Sequence, residues 1–236
     1  MASASFRILV ILPCYNEAES IGKILSELKK VNIPECEIIA LPVNDGSTDN
    51  TLNEIKKHTS VYLNLPQNMG IGGAVQSGLK YAKENNFDIA VQLDGDGQHP
   101  PSELLKIITP ILNDEADVCI GSRFIDKEGF QSSFMRRLGI SILSFLIKLR
   151  SGKTILDCTS GYRAFNKKAI DLSVIYYPKK YPEPESTLYF IKKGLRVKEA
   201  PVIMEARDAG VSSISGWRGI YYMIKVSMAI LFLKAK

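Results

Sequence analysis

Two carboxylates one residue apart, Asp94 and Asp96 in "VQLDGDGQHPP", follow directly on an apolar run and precede Gln98, His99 and two prolines. On an extended or turning backbone, side chains at i and i+2 can converge on one hard cation, and Gln98 would add a neutral oxygen. A ligand set made only of oxygens favours Mg2+ or Mn2+ over zinc. With so few protein ligands the ion would stay open, leaving a diphosphate to complete its coordination. The competing reading is an Asp/Gly-rich turn, since both residue types favour turns for local backbone reasons. A calcium loop is excluded by spacing: an EF-hand beginning at Asp94 needs glycine at its sixth position and glutamate at its twelfth, where His99 and Leu105 stand. A dinucleotide fingerprint fits "GIGGAVQSG" poorly, because Val75 occupies the place of the last glycine.

Two further polar segments belong with the acidic pair. "ILPCYNEAES" and "VNDGSTDNT" each close an apolar run, so Asp45 could hydrogen-bond a base or ribose while Pro13, Tyr15 and Asn16 frame the base. Capping and turn formation are the alternatives for Asp45, Ser47 and Asp49.

These segments need elements that bring them together. β-branched runs near 6–12, 37–43, 61–65, 88–93 and 117–121 alternate with helical spacings over Ala18 to Lys30, Leu52 to Lys57, Ala74 to Glu84 and Glu103 to Leu112. That alternation predicts βαβ units on a mainly parallel sheet flanked by helices, with ligands at the carboxyl ends of the strands. After residue 122 the alternation stops. A helix over Ser133 to Arg150, a short helix from Lys167, a helix ending at Lys193 and a strand near 195–204 are expected to continue the same domain, because no Pro/Gly/Ser-rich linker intervenes. Residues 1–210 are thus expected as one domain, and 211–236 as an amphipathic segment.

The charge is uneven. The formal net charge of +5 divides into −7 over residues 1–122 and +12 over 123–236, which suggests that the second half meets phosphates or an acidic lipid surface. A solvated lysine-rich face is the alternative. No aromatic and basic reading motif for nucleic acid is evident. Four scattered cysteines without CxxC spacing suit a reduced, cytosolic compartment, and the first apolar run reads as a buried strand instead of a leader.

Taken with "NMGIGGAVQSGL", "IGSRF", Arg136–Arg137 and "DCTSGYRAF", the segments above occur in the order found in family 2 glycosyltransferases of the GT-A fold, which the chain resembles over about residues 7 to 207. Within that family it most resembles the polyprenyl-phosphate sugar transferases of the dolichyl-phosphate mannose synthase kind. The resemblance implies a single Rossmann-like nucleotide-binding domain and a metal-dependent, inverting transfer from a nucleoside-diphosphate sugar to a polyprenyl phosphate. It implies Pro13, Tyr15, Asn16, Glu17, Asp45, Asn68, Gly72, Asp94, Gly95 and Asp96 as the donor pocket, with Asp94, Asp96 and Gln98 at the metal. Arg123, Arg137 and Arg207 would meet donor or acceptor phosphates, a task suited to the planar, permanently charged guanidinium. Asp157 would be the base or acceptor-orienting group, with Glu183 and Glu185 next in line. His99 would belong to the loop after the metal site.

The glutamates of "YPEPES" and the segment "MEARDAGVSSI" depart from the plain lipid-synthase pattern and keep a saccharide hydroxyl of a lipid-linked surface polysaccharide open as acceptor. A non-catalytic sugar-nucleotide-binding module is the reading from another class, opposed by the intact acids Asp94, Asp96 and Asp157.

Ile220 to Leu233 holds 14 residues with Lys225 inside, short of the roughly 20 apolar residues a spanning helix needs. With Trp217, Arg218, Tyr221, Tyr222, Lys234 and Lys236 around it, it could lie at a bilayer interface, and the helix over 133–150 could be a second contact. Packing on the sheet or on a second copy in a homodimer is the alternative. The expectation is a peripheral enzyme at the cytoplasmic membrane face.

Overall fold

The computed structural model describes residues 6–131, 133–179, 182–205 and 217–233. Among the described residues seven strands form one sheet: β1 (Phe6–Cys14), β2 (Cys36–Asn44), β3 (Leu63–Asn64), β4 (Ile89–Gln92), β5 (Val118–Ser122), β6 (Arg163–Asn166) and β7 (Val197–Pro201). Their order is β3-β2-β1-β4-β6-β5-β7, with β6 antiparallel to both neighbours and every other pairing parallel. Among the described residues eight α-helices accompany the sheet: α1 (Ile21–Leu28), α2 (Thr51–His58), α3 (Ile71–Glu84), α4 (Leu104–Leu112), α5 (Phe134–Ser151), α6 (Lys167–Ile175), α7 (Pro182–Lys192) and α8 (Trp217–Phe232).

Alternate residues of β1 feed two separate cores, as a strand covered on both faces requires. Leu9 and Ile11 join the cluster that holds residues of α3, α5, α6, α7 and α8, whereas Ile8, Val10 and Leu12 join the one that holds residues of α1, α2 and α4. The helix α8 enters the first cluster through Tyr222, Val226 and Ile230 and packs against α5 and α7. No helix among the described residues is long and apolar enough to cross a membrane.

Two sequence expectations change. The chain starts α1 at Ile21, three residues later than the spacing suggests, because Glu17 to Ser20 form a turn closed by the Ser20 N–H on the Glu17 carbonyl. The end of "DCTSGYRAF" is a strand, β6, which no periodicity marks: it has four residues and opens on Arg163, here fully buried. Because β6 runs antiparallel, its beginning lies at the same sheet edge as the carboxyl ends of β4 and β5. The segment from Asp157 to Tyr162 is thereby delivered to the edge that carries Asp94 and Asp96.

Candidate active site

A cavity of about 790 Å³ opens at this edge. Pro13, Tyr15, Asn16 and Glu17 line it from the end of β1, Asp45, Asp49 and Asn50 from the end of β2, Asn68, Gly70 and Ile71 from the approach to α3, and Asp94, Gly95 and Asp96 from the end of β4. Four segments far apart in sequence therefore make one wall.

Those loops hold one another by hydrogen bonds. Asn16 takes a left-handed backbone conformation (φ +57°), which asparagine tolerates. Its N–H donates to Ser47 Oγ at 3.0 Å and its Oδ1 accepts the Thr48 N–H at 2.9 Å, while the Glu17 N–H donates to Thr51 Oγ1 at 2.8 Å. Ser20 Oγ reaches the Gly95 carbonyl at 2.6 Å and Glu17 Oε2 at 2.9 Å, tying the β1 loop to the acidic loop. Asp45, nearly buried, accepts the Met69 N–H on Oδ1 at 2.7 Å. Next to it Gly46 sits at φ +66°, where a Cβ would stand 2.8 Å from the Asn68 backbone nitrogen. Asp49 titrates below the usual carboxylate range: burial opposes this, and hydrogen bonds from the Thr51 hydroxyl and the N–H groups of Thr51 and Ala18 outweigh it.

The acidic loop is braced from beneath. The Asp94 N–H donates to His99 Nδ1 at 3.1 Å, and the imidazole stacks on Tyr162 at 5.1 Å between centroids, so His99 acts as a strut with its accepting nitrogen already used. Asp96 is buried, and its Oδ1 accepts the Gln98 N–H at 3.0 Å in a turn that places Gly97 at φ +80°. The Gln98 carbonyl accepts from the Glu205 N–H, and Gln98 is not among the residues that line the cavity.

No group of three His, Cys, Asp or Glu side chains able to hold a metal occurs among the described residues. Asp94 and Asp96 thus offer a hard, oxygen-only, two-carboxylate set that suits Mg2+ or Mn2+ once a diphosphate adds its own oxygens. The residues present fit such an ion.

Several expected site residues lie away from the cavity lining. Gly72 is buried under the loop ahead of α7: its N–H donates to the Lys179 carbonyl at 3.3 Å, and a Cβ there would stand 2.0 Å from the Pro178 carbonyl oxygen. It is a packing glycine, because only a bare Cα admits that backbone. Asp157 is 0% exposed and meets Arg123 by both oxygens, Oδ2 with Nε at 2.7 Å and Oδ1 with Nη2 at 2.8 Å. Such a carboxylate is suited to orienting Arg123 and ill suited to serving as an open base. Glu199 of β7 secures the pair by accepting the Leu156 and Asp157 N–H groups at 2.8 and 2.7 Å.

Glu183 and Glu185, two residues apart on α7, point to opposite sides because a helix turns about 100° per residue. Glu183 lies beside Gln92 beneath the acidic loop, and its carboxyl is pushed up to about 7, first by burial and further by Asp94, with Arg163 opposing. Glu185 instead accepts the Tyr176 hydroxyl at the surface. Arg137 is exposed on the first turn of α5, and Arg207 lies outside the described residues.

Gln92, Tyr177, Gly161, Arg163 and Glu199 are given no site role in the sequence expectations, yet all five meet at this edge or beneath it. A signal was present for three of them: Gln92 is the single polar residue in "IAVQL", and Gly161 and Arg163 stand within "DCTSGYRAF".

The description Glycosyl transferase family 2 belongs to the family whose model matches residues 9–172. The chain is 35% identical to the UDP-N-acetylglucosamine--dolichyl-phosphate N-acetylglucosaminyltransferase of Methanococcus voltae, over 94% of this chain and 96% of that protein. It is 31% identical to the undecaprenyl-phosphate mannosyltransferase of Micrococcus luteus, over 89% and 88% respectively. Among solved structures, glucosyl-3-phosphoglycerate synthase from Mycobacterium tuberculosis in complex with Mn2+, uridine diphosphate and glucosyl-3-phosphoglycerate superposes with a TM-score of 0.70. That likeness covers 97% of this chain and 79% of the other at 16% identity, and it concerns the fold.

Proposed function

This chain belongs to glycosyl transferase family 2, and from that premise we propose that it moves a sugar from a nucleoside-diphosphate sugar to a polyprenyl phosphate, with inversion at the sugar carbon. The observation that carries the reading is the single cavity in which Pro13, Tyr15, Asn16, Glu17, Asp45, Asn68, Asp94, Gly95 and Asp96 converge. Its polar walls and acidic floor suit a nucleoside on one side and a metal-bound diphosphate on the other. Relatives whose names carry dolichyl phosphate or undecaprenyl phosphate support the acceptor class.

The loop of Tyr15 to Glu17, tied to Ser47 and Thr51, frames the base, and Asp45, anchored by the Met69 N–H, presents its remaining oxygen to the base or ribose. Held by Asp94 and Asp96, a Mg2+ or Mn2+ ion would supply neutralisation of the charge that grows on the departing diphosphate. Arg123, fixed by Asp157, contributes a permanently charged group of set orientation for a phosphate. A phosphate acceptor is already ionised near neutrality, so alignment matters more than proton removal. The role in the cell would be synthesis of lipid-linked sugars for surface polysaccharide or glycoconjugates, at the cytoplasmic membrane face.

A second reading, transfer to a saccharide hydroxyl of a lipid-linked acceptor, is favoured by Glu183. A carboxyl brought to about 7 is matched to accepting a hydroxyl proton. The deciding experiment offers UDP-, GDP- and dTDP-sugars with Mn2+ to the protein, with polyprenyl phosphate in one set and lipid-linked saccharide in the other. Transfer confined to the first set is expected. Transfer confined to the second would replace the polyprenyl phosphate by the saccharide, and nucleotide-sugar binding without transfer in either would leave a binding module.

A further inference from the structure

Beneath the acidic loop, three elements meet on one amide. Gln92, the last residue of β4, is fully buried. Its Nε2 lies 3.3 Å from Asp94 Oδ1, its Oε1 accepts the Tyr177 hydroxyl at 3.2 Å, and the Glu183 carboxyl of α7 lies beside the same amide. A primary amide has two N–H donors and one accepting oxygen. Here the donors face two carboxylates and the oxygen faces a hydroxyl, so turning the amide over would set its oxygen against both acids. The network leaves it one orientation.

Neighbouring groups stiffen this arrangement. Gln92 sits opposite Arg163 in the β4–β6 register, and that buried guanidinium donates to the Ser160 carbonyl at 2.7 Å, the Cys158 carbonyl at 2.8 Å and Ser186 Oγ of α7 at 3.1 Å. The start of β6 and the N-terminal half of α7 are thus clamped beside Gln92. Gly161 bounds Asp94 from another side, since a Cβ at that position would stand 2.6 Å from Asp94 Oδ2.

We propose that Gln92, locked in one orientation by Tyr177, is the positioning residue that aims the Asp94 carboxylate at the metal and diphosphate. The inference rests on the metal-diphosphate reading of Asp94 and Asp96 given above. A carboxylate ligand binds its ion well only when its oxygens are held in place, and loss of a group that orients a ligand costs about 10- to 100-fold in affinity. Gln92 supplies that hold without touching the ion, and it separates Asp94 from Glu183, two acids that would otherwise repel.

The test follows Mn2+ binding by electron paramagnetic resonance in the presence of saturating UDP or GDP, whichever the parent protein binds, for Gln92→Met and Tyr177→Phe. The Kd for Mn2+ is expected to rise about tenfold or more in Gln92→Met and by a smaller factor in Tyr177→Phe, as for other groups that orient a ligand. The Mn2+ concentration for half-maximal transfer should rise in parallel, while kcat at saturating Mn2+ stays close to the parent value. A merely structural role would lower the binding-competent fraction at unchanged Kd, and that result overturns the proposal. Because Gln92→Met leaves two partly buried acids side by side, Tyr177→Phe, which removes one hydroxyl at nearly constant volume, decides the matter if the first variant does not fold. A parent that binds Mn2+ with nucleotide while both variants keep its Kd overturns this inference alone. A parent that binds no Mn2+ with any nucleoside diphosphate overturns the metal reading as well.

Discussion

Arg123 and Asp157 stand face to face in a two-pronged ion pair, Nε to Oδ2 at 2.7 Å and Nη2 to Oδ1 at 2.8 Å, both side chains nearly or wholly removed from solvent. The Arg123 N–H donates to the same carboxylate at 3.2 Å. Removing one partner of a buried pair strands the other charge, which typically costs about 3–5 kcal/mol. Asp157→Ala is expected to lower unfolding stability by that amount in urea titrations. Arg123→Lys should lose the fork and lower transfer while Mn2+ and nucleotide still bind; unaltered transfer would take Arg123 out of the phosphate-binding role.

Asp96→Asn keeps an oxygen for the Gln98 N–H and removes only the charge, so the turn should survive. If Asp96 holds the ion that neutralises the departing diphosphate, transfer should fall by about a thousandfold, the equivalent of several kcal/mol. Turnover of labelled donor measures this, with far-ultraviolet circular dichroism checking the fold. Full activity in the variant would remove Asp96 from the metal site.

Glu183 makes stability depend on pH with a definite sign. Its carboxyl rises from an ordinary 4.5 to about 7 in the folded chain, chiefly through burial. Between those values the folded state holds the proton more tightly than the unfolded state, so stability falls as pH rises through the window, and the full penalty stands above about 7. Glu183→Gln should be indistinguishable from the parent near pH 4.5 and more stable at pH 8, by up to about 3 kcal/mol at 1.36 kcal/mol per pKa unit. Unfolding midpoints across that range check it, and a difference that does not change with pH would show that Glu183 is not the titrating group.

The helices α5 and α8 pack together and leave apolar side chains outward. Phe134, Leu138, Ile142, Phe145 and Leu149 follow one face of α5, and Tyr221, Ile224, Met228 and Phe232 one face of α8, with Phe145 64% and Phe232 69% exposed. Arg136, Arg137, Lys148, Arg150 and Lys225 stand on the same two helices. If this surface lies on a bilayer, cosedimentation with vesicles containing anionic lipid should be strong and salt-sensitive. Phe145→Asp and Ile224→Asp should each weaken it by about tenfold, the scale of one large side chain leaving an apolar phase. A concentration-dependent dimer that both substitutions abolish, without vesicle binding, would identify a second copy of the chain as the occupant instead.

The strand-end loops were legible without coordinates because the chemistry is written in residue types. Carboxylates, asparagine and glycine at the close of apolar runs mark the edge of a parallel sheet, and nine of the ten residues named for the donor pocket, Pro13, Tyr15, Asn16, Glu17, Asp45, Asn68, Asp94, Gly95 and Asp96, line one cavity, with Gly72 the exception. Local spacing carries such information because each loop is continuous in the chain. The second half was harder to read: β6 is too short for a period of two, and its first side chain, Arg163, is charged yet fully buried.

What the sequence determined by itself was the alternation of strands and helices and the acidic and polar composition of one sheet edge, at which Asp94 and Asp96 stand. Only the tertiary structure decided that Asp157 is spent on Arg123, that Gly72 makes room for Pro178 and Lys179, and that Glu183 and not Glu185 turns toward Asp94. The reason is physical. Residue type and spacing fix what a side chain can do within its own strand, loop or helix, whereas its partners depend on an antiparallel strand and on the helix that covers it, which bring together groups such as Gln92 and Glu183, 91 residues apart.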